Sequence, residues 1–92
     1  MIKSFKHKGI KLFFESGNFS KIKSEHRKKV RLILSMLNAA IEIKDLNFPG
    51  SGLHQLKEEY KDYWSVSVSG NWRIIFKFID RDVYDVDYLD YH

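Results

Sequence analysis

One stretch decides the fold: Trp64-Ser65-Val66-Ser67-Val68-Ser69-Gly70-Asn71-Trp72-Arg73-Ile74-Ile75-Phe76-Lys77-Phe78-Ile79-Asp80-Arg81-Asp82-Val83-Tyr84-Asp85-Val86-Asp87-Tyr88-Leu89. Trp64, Val66 and Val68 alternate with Ser65 and Ser67, the period-two pattern of a half-buried strand. Ser69-Gly70-Asn71 reads as a hairpin turn. Trp72, Ile74, Phe76 and Phe78 then alternate with Arg73, Ile75, Lys77 and Ile79. That run is apolar on one face and nearly so on the other, which places it centrally in a sheet. Asp80-Arg81-Asp82 turns the chain again. The last strand, Val83 to Leu89, is expected to set Tyr84, Val86 and Tyr88 on one side and Asp85 and Asp87 on the other.

Upstream of this meander the period changes. Leu53 to Lys57 is a short strand candidate. Asn47-Phe48-Pro49-Gly50-Ser51-Gly52 is a loop, because Pro and two Gly in six residues break regular structure. Before it, a long helix is expected from about Ser20 or Ser24 to Glu42. Val30, Ile33, Leu34, Leu37, Ala40 and Ile41 form its apolar stripe, widened by Leu32 and Met36. Lys8 to Ser16 reads as a shorter helix with Ile10, Phe13 and Phe14 on one face and Gly17 as its C-terminal cap. Ile2 to Phe5 is a candidate edge strand. Two N-terminal helices packed on a small, mainly antiparallel sheet give an α+β two-layer sandwich. With 92 residues, the expected organisation is a single domain over 1–92, enough for one small core.

Composition excludes several classes. There is no Cys, hence no disulfide framework, thiolate metal site or cysteine nucleophile. No apolar run approaches the roughly 20 residues of a membrane span. The start of the chain lacks the apolar segment of a signal peptide, so a soluble, cytoplasmic protein with no membrane partner is expected. The net charge of +4 hides an asymmetry. Residues 1–44 hold eleven Lys/Arg and three Glu, a net of +8, whereas residues 45–92 hold five Lys/Arg and nine Asp/Glu, a net of −4. A cationic half suits a polyanionic partner such as nucleic acid. The acidic half suits a second, different contact.

No pair among His7, His26, His54 and His92 has zinc-ligand spacing, and the Gly50-Ser51-Gly52 cluster precedes a strand rather than a helix. No metal and no cofactor is therefore expected. What remains is metal-free acid–base chemistry. RNA is cut without a metal when its own 2′-hydroxyl attacks the adjacent phosphate. Such a site must take one proton, stabilise extra charge on the phosphoryl oxygens and give one proton back. Histidine suits the proton steps and arginine the charge. His54, Lys57, Arg73 and the closing Asp90-Tyr91-His92 are the candidates. Each also has a plainer reading. Arg73 pairs with Asp85 or Asp87 across the sheet, His54 is a satisfied histidine, Lys57 is a solvated strand end, and the last three residues fray.

The segments Ile2-Lys3-Ser4-Phe5-Lys6-His7-Lys8-Gly9, Leu37-Asn38-Ala39-Ala40, Leu53-His54-Gln55-Leu56-Lys57, Tyr63-Trp64-Ser65-Val66-Ser67-Val68, Asn71-Trp72-Arg73-Ile74 and Asp90-Tyr91-His92 resemble, in this order and over the full length, the HigB-type toxins of bacterial type II toxin–antitoxin modules, within the RelE/ParE superfamily. The resemblance implies a compact RelE-like fold and a ribosome-dependent mRNA endonuclease that cuts in the decoding site. It implies a HigA-type helix-turn-helix antitoxin as partner, with operator DNA reached only through that antitoxin. Carried over, Arg73 stabilises the scissile phosphate, His92 is the main proton-transfer group, and Asp90 orients or tunes it. Tyr91 contacts substrate or holds the tail, and His54 and Lys57 bind and polarise the phosphate, with His54 a second acid–base candidate. Some members carry a further cation just before the Asn-Trp-Arg segment, where this chain has Ser69-Gly70; Lys57, Lys77 or ribosomal RNA itself would compensate. Lys23, Arg27, Lys28 and Arg31 on the long helix suit docking to ribosomal RNA phosphates. The alternatives are a gyrase-directed ParE-like toxin and a non-catalytic RNA-binding module.

Overall fold

The computed structural model describes residues 1–91; His92 lies outside the described residues. Helix α1 spans Lys8–Ser16 and α2 spans Arg27–Ala39. The strands are β1 (His54–Gln55), β2 (Trp64–Ser69), β3 (Trp72–Ile79) and β4 (Asp82–Asp90). They form one sheet in the order β1-β2-β3-β4, each neighbouring pair antiparallel. Both helices lie on one face. Ile10 and Phe13 of α1 and Val30, Ile33, Leu34 and Leu37 of α2 meet Val66, Ile74, Phe76, Val83 and Val86 of the sheet in the main core. The two-layer α+β sandwich expected from the alternation is the observed one.

Local chemistry explains the element ends. Helix α1 starts where the His7 Nδ1 accepts the Ile10 N–H at 3.1 Å. It stops at Gly17, whose φ of 77° is left-handed and whose N–H bonds to the Phe13 carbonyl. The region before α2 is a 3-10 turn, Ser24–His26, rather than α-helix. Helix α2 also ends earlier than the apolar stripe suggests. The chain is extended at Ala40, Ile41 is exposed instead of packed, and Glu42 and Asp45 cap each other across the short turn Ile43–Leu46. This reciprocal cap draws Glu42 out of the helix.

The expected strand over Leu53–Lys57 narrows to two paired residues, and Ile2–Phe5 makes two isolated parallel bridges, to Val83 and Val86, in place of a continuous strand. In β3 the alternation holds. In β4 it slips. Asp85 has φ 54°, and the register steps from Lys77↔Tyr84 to Ile75↔Asp87, so β4 carries one extra residue. Val83 and Val86, three apart, are both buried in the core, while Tyr84 pairs with Lys77 on the opposite face. The expectation that Tyr84 shares a face with Val86 and Tyr88 is thereby corrected. Across that opposite face lies a second cluster, Leu56, Tyr63 and Ile75, with Tyr60, Leu89 and Tyr91 packed against it.

Candidate active site

The sheet face away from the helices gathers Arg73, His54, Lys57 and Tyr91, whereas Asp90 is paired with Trp72, which packs against the main core on the other face. Gly52 is the point where two of them meet. The loop before β1 is stitched to the sheet: the Ser67 N–H donates to the Ser51 carbonyl at 2.7 Å, and Ser51 is fully buried. Gly50 (φ 83°) and Gly52 (φ 54°) supply the left-handed bends this needs. The His54 Nδ1 lies 2.9 Å from the Gly52 carbonyl oxygen. A carbonyl only accepts, so Nδ1 carries the hydrogen and Nε2 is the ring nitrogen left for another partner. On the other side, a Cβ added to Gly52 would sit 3.7 Å from Arg73 Nη1.

Arg73 stands on β3 between Ser67 and Leu89. Its Nη1 is buried and has no hydrogen-bond partner among the described residues. The plainer reading, a pair with Asp85 or Asp87, does not occur. Asp85 takes Lys77 at 3.5 Å and the Ser4 hydroxyl at 3.1 Å, and Asp87 accepts the Tyr88 N–H. A buried guanidinium donor left unspent costs about 1–3 kcal/mol unless something occupies it. Planar and always charged, it suits the oxygens of a phosphate.

His54, Lys57 and Tyr91 line one depression of about 220 Å³, together with Gln55 and Leu56. Tyr91 is held there by its N–H to the Asn71 carbonyl at 2.8 Å and by its ring edge-on to Tyr60 at 5.8 Å. Asp90 closes β4 opposite Trp72, the neighbour of Arg73. Thus the strand pairing, not sequence proximity, brings the end of the chain beside β3. His92, the expected main proton-transfer group, lies outside the described residues. Lys77 shares the face of Arg73, with its ammonium 5.2 Å from the Tyr63 ring centre.

The helical cations do not make one strip. The Lys23 ammonium sits 5.5 Å from the Trp72 ring centre, at the end of β3 that pairs with Asp90. Arg27 stacks on Phe19 at 3.9 Å. Arg31 lies over Phe13 at 5.4 Å and borders a hollow of about 290 Å³ between α1 and α2. Lys28 borders a separate surface hollow with Glu25, Lys29 and Leu32. Two histidines are structural: His7 caps α1, and buried His26 sets Nδ1 2.6 Å from the Tyr88 hydroxyl. Burial pushes the Tyr88 phenol up, against a backbone hydrogen bond from Lys23 and with help from Glu25. Among the described residues no three His, Asp or Glu side chains are grouped to hold a metal ion.

Sequence reasoning did not single out Gly52 or the Lys6 ammonium, which lies 5.9 Å from the Tyr63 ring centre. The sequence signal for Lys6 is its alternation with Phe5, whose ring packs against the core.

Two helices on one face of a four-stranded antiparallel sheet form a fold that is also that of solved structures: a point mutant of YafQ from E. coli (TM-score 0.62, 18% identity, 96% of this chain and 89% of that one) and the YoeB–YefM complex from Staphylococcus aureus (TM-score 0.59, 14% identity, 97% and 95%). The family model for the RelE-like toxin of type II toxin–antitoxin system HigB matches residues 3–92. Endoribonuclease HigB of Proteus vulgaris is 46% identical over 92 residues, which is all of both chains. The chain belongs to the HigB-like toxin family, and an antitoxin is its partner.

Proposed function

We propose that this toxin is a ribosome-dependent mRNA endonuclease that works by metal-independent attack of the 2′-hydroxyl. One observation carries the reading: His54 and Arg73, nineteen positions apart in sequence, both approach Gly52, and His54 lines a depression with Lys57 and Tyr91. The O2′ loses its proton to an imidazole and bonds to phosphorus. The P–O5′ bond breaks, and O5′ leaves as a hydroxyl after taking a proton. The products are a 2′,3′-cyclic phosphate and a 5′-hydroxyl end. Arg73 and Lys57 hold the charge that builds on the phosphoryl oxygens. His54, whose Nδ1–H is engaged by the Gly52 carbonyl, offers Nε2 for a proton step. His92, joined to Tyr91, is the second proton-transfer group, and Asp90 orients it.

The partner is a HigA-type helix-turn-helix antitoxin, through which operator DNA is reached, and the working location is the cytoplasm on translating ribosomes. Lys23, Arg27, Lys28 and Arg31 contact ribosomal RNA phosphates. Primer extension on mRNA from programmed ribosomes tests the reading. Codon-phased stops at 5′-hydroxyl ends are expected with the wild type, with a 2′,3′-cyclic phosphate on the matching upstream fragment. Intact mRNA with damaged DNA overturns it in favour of a gyrase target, and RNA binding without cuts overturns it in favour of a non-catalytic module.

A further inference from the structure

We propose that Lys6, Lys77 and Tyr63 form a second phosphate subsite on the open sheet face, which holds an RNA phosphodiester a few nucleotides from the one that is cut. The inference rests on the endonuclease reading above and extends the path of the RNA. Tyr63 is buried, yet its ring receives two ammonium groups, Lys6 at 5.9 Å and Lys77 at 5.2 Å. Like charges gathered at one ring repel each other, and a cation–π contact of about 0.5–1 kcal/mol each only partly offsets this. Asp85 balances Lys77 alone, at 3.5 Å. The Lys6 ammonium has no carboxylate partner among the described residues, while its backbone is fixed by a 2.8 Å bond to the Val86 carbonyl. One positive charge is therefore unspent, held in place and exposed.

Its position relates to the candidate site through aromatic contacts. Tyr63 meets Tyr60 edge-on at 5.8 Å, Tyr60 meets Tyr91 at 5.8 Å, and Tyr91 lines the depression with His54 and Lys57. The cations thus sit at the far end of a continuous row of rings that starts at the proposed point of cleavage. A lysine, as a compact point charge, serves an anion without demanding bidentate geometry. An RNA strand lying along that row would meet Arg73 and Lys57 at one end and the Lys6–Lys77 pair at the other. This pair supplies charge that the Ser69-Gly70 turn does not.

Binding of the toxin to ribosomes, followed against salt concentration, tests the subsite. Arg73→Ala serves as background so that the RNA stays whole. Lys6→Gln is expected to weaken binding several-fold at low salt and to reduce the steepness of the log–log salt plot by about 0.7–0.9, the loss of one phosphate contact. Lys6→Arg is expected to restore both. A Lys6→Gln slope equal to that of the background overturns the subsite. A loss seen only with mRNA-programmed ribosomes assigns the phosphate to the message and supports the subsite; one seen equally on empty ribosomes assigns the contact to ribosomal RNA and overturns it. Cleavage by the wild type is scored separately, so uncut mRNA counts against the nuclease reading while the slope still reports on Lys6.

Discussion

Arg73 makes an opposed pair of demands visible at one residue. Its Nη1 is buried without a hydrogen-bond partner among the described residues, where burial costs free energy, while the guanidinium is the group proposed to bind the scissile phosphate. Arg73→Ala is therefore expected to abolish cleavage while leaving thermal stability unchanged or slightly higher, because an unspent buried donor disappears. Cleavage assays and melting curves on one preparation check this; a large fall in Tm contradicts it. Gly52 adds a second residue-scale case. Gly52→Ala forces a Cβ onto a φ of 54°, at about 1 kcal/mol or more, and disturbs the carbonyl that fixes the His54 tautomer. Its pH–rate profile is expected to shift relative to the wild type, which a purely structural loss would not do. Removal of His92 is expected to abolish translational arrest with the fold kept, as judged by circular dichroism; full toxicity of the truncated chain contradicts its proton-transfer role.

Among the elements, β4 shows what the sequence carried and what it hid. The meander was legible because Trp72, Ile74, Phe76 and Phe78 repeat at the strand period, and α1 because Ile10, Phe13 and Gly17 mark a face and a stop. The bulge at Asp85 was not legible. A single extra residue leaves the composition of the strand unchanged, and only the pairing partner reveals it. The early end of α2 escaped for a similar reason: Ile41 continues the apolar stripe, but the Glu42–Asp45 cap wins. Arg73, Lys57 and His54 were readable as chemistry-bearing types, whereas their convergence depends on a glycine carbonyl and a strand register. The cap also has a pH signature. Hydrogen bonds from the Glu42 and then the Ile41 backbone hold Asp45 below its ordinary value of 3.8, with burial opposing and Lys44 assisting. A lowered carboxylate contributes stability above its unfolded value and loses it as pH falls through the folded one. Asp45→Asn is expected to flatten that part of the acid limb in melts between about pH 2 and 6.

At the scale of the whole molecule, the helices and the sheet divide the labour. One face is sealed by the main core, in which Phe76 is fully buried; Phe76→Ala is expected to cost about 3–5 kcal/mol by calorimetry or urea unfolding. The other face is only partly covered by the Tyr63 cluster and keeps its charges available. The alkaline limit belongs to the sealed side. Tyr88 is raised above its ordinary value of 10.0, so its contribution is intact below that pH and is lost as pH rises through the folded value.

The parallel bridges from Ile2 and Phe5 to β4 have one more effect. They occupy the outer rim of the last strand from Val83 to Val86, so a foreign polypeptide finds no vacant backbone ladder along that half. Among the described residues the opposite rim, along β1, is left bare. A peptide that lengthened the sheet along β1 would lie against His54 and narrow the cleft it borders.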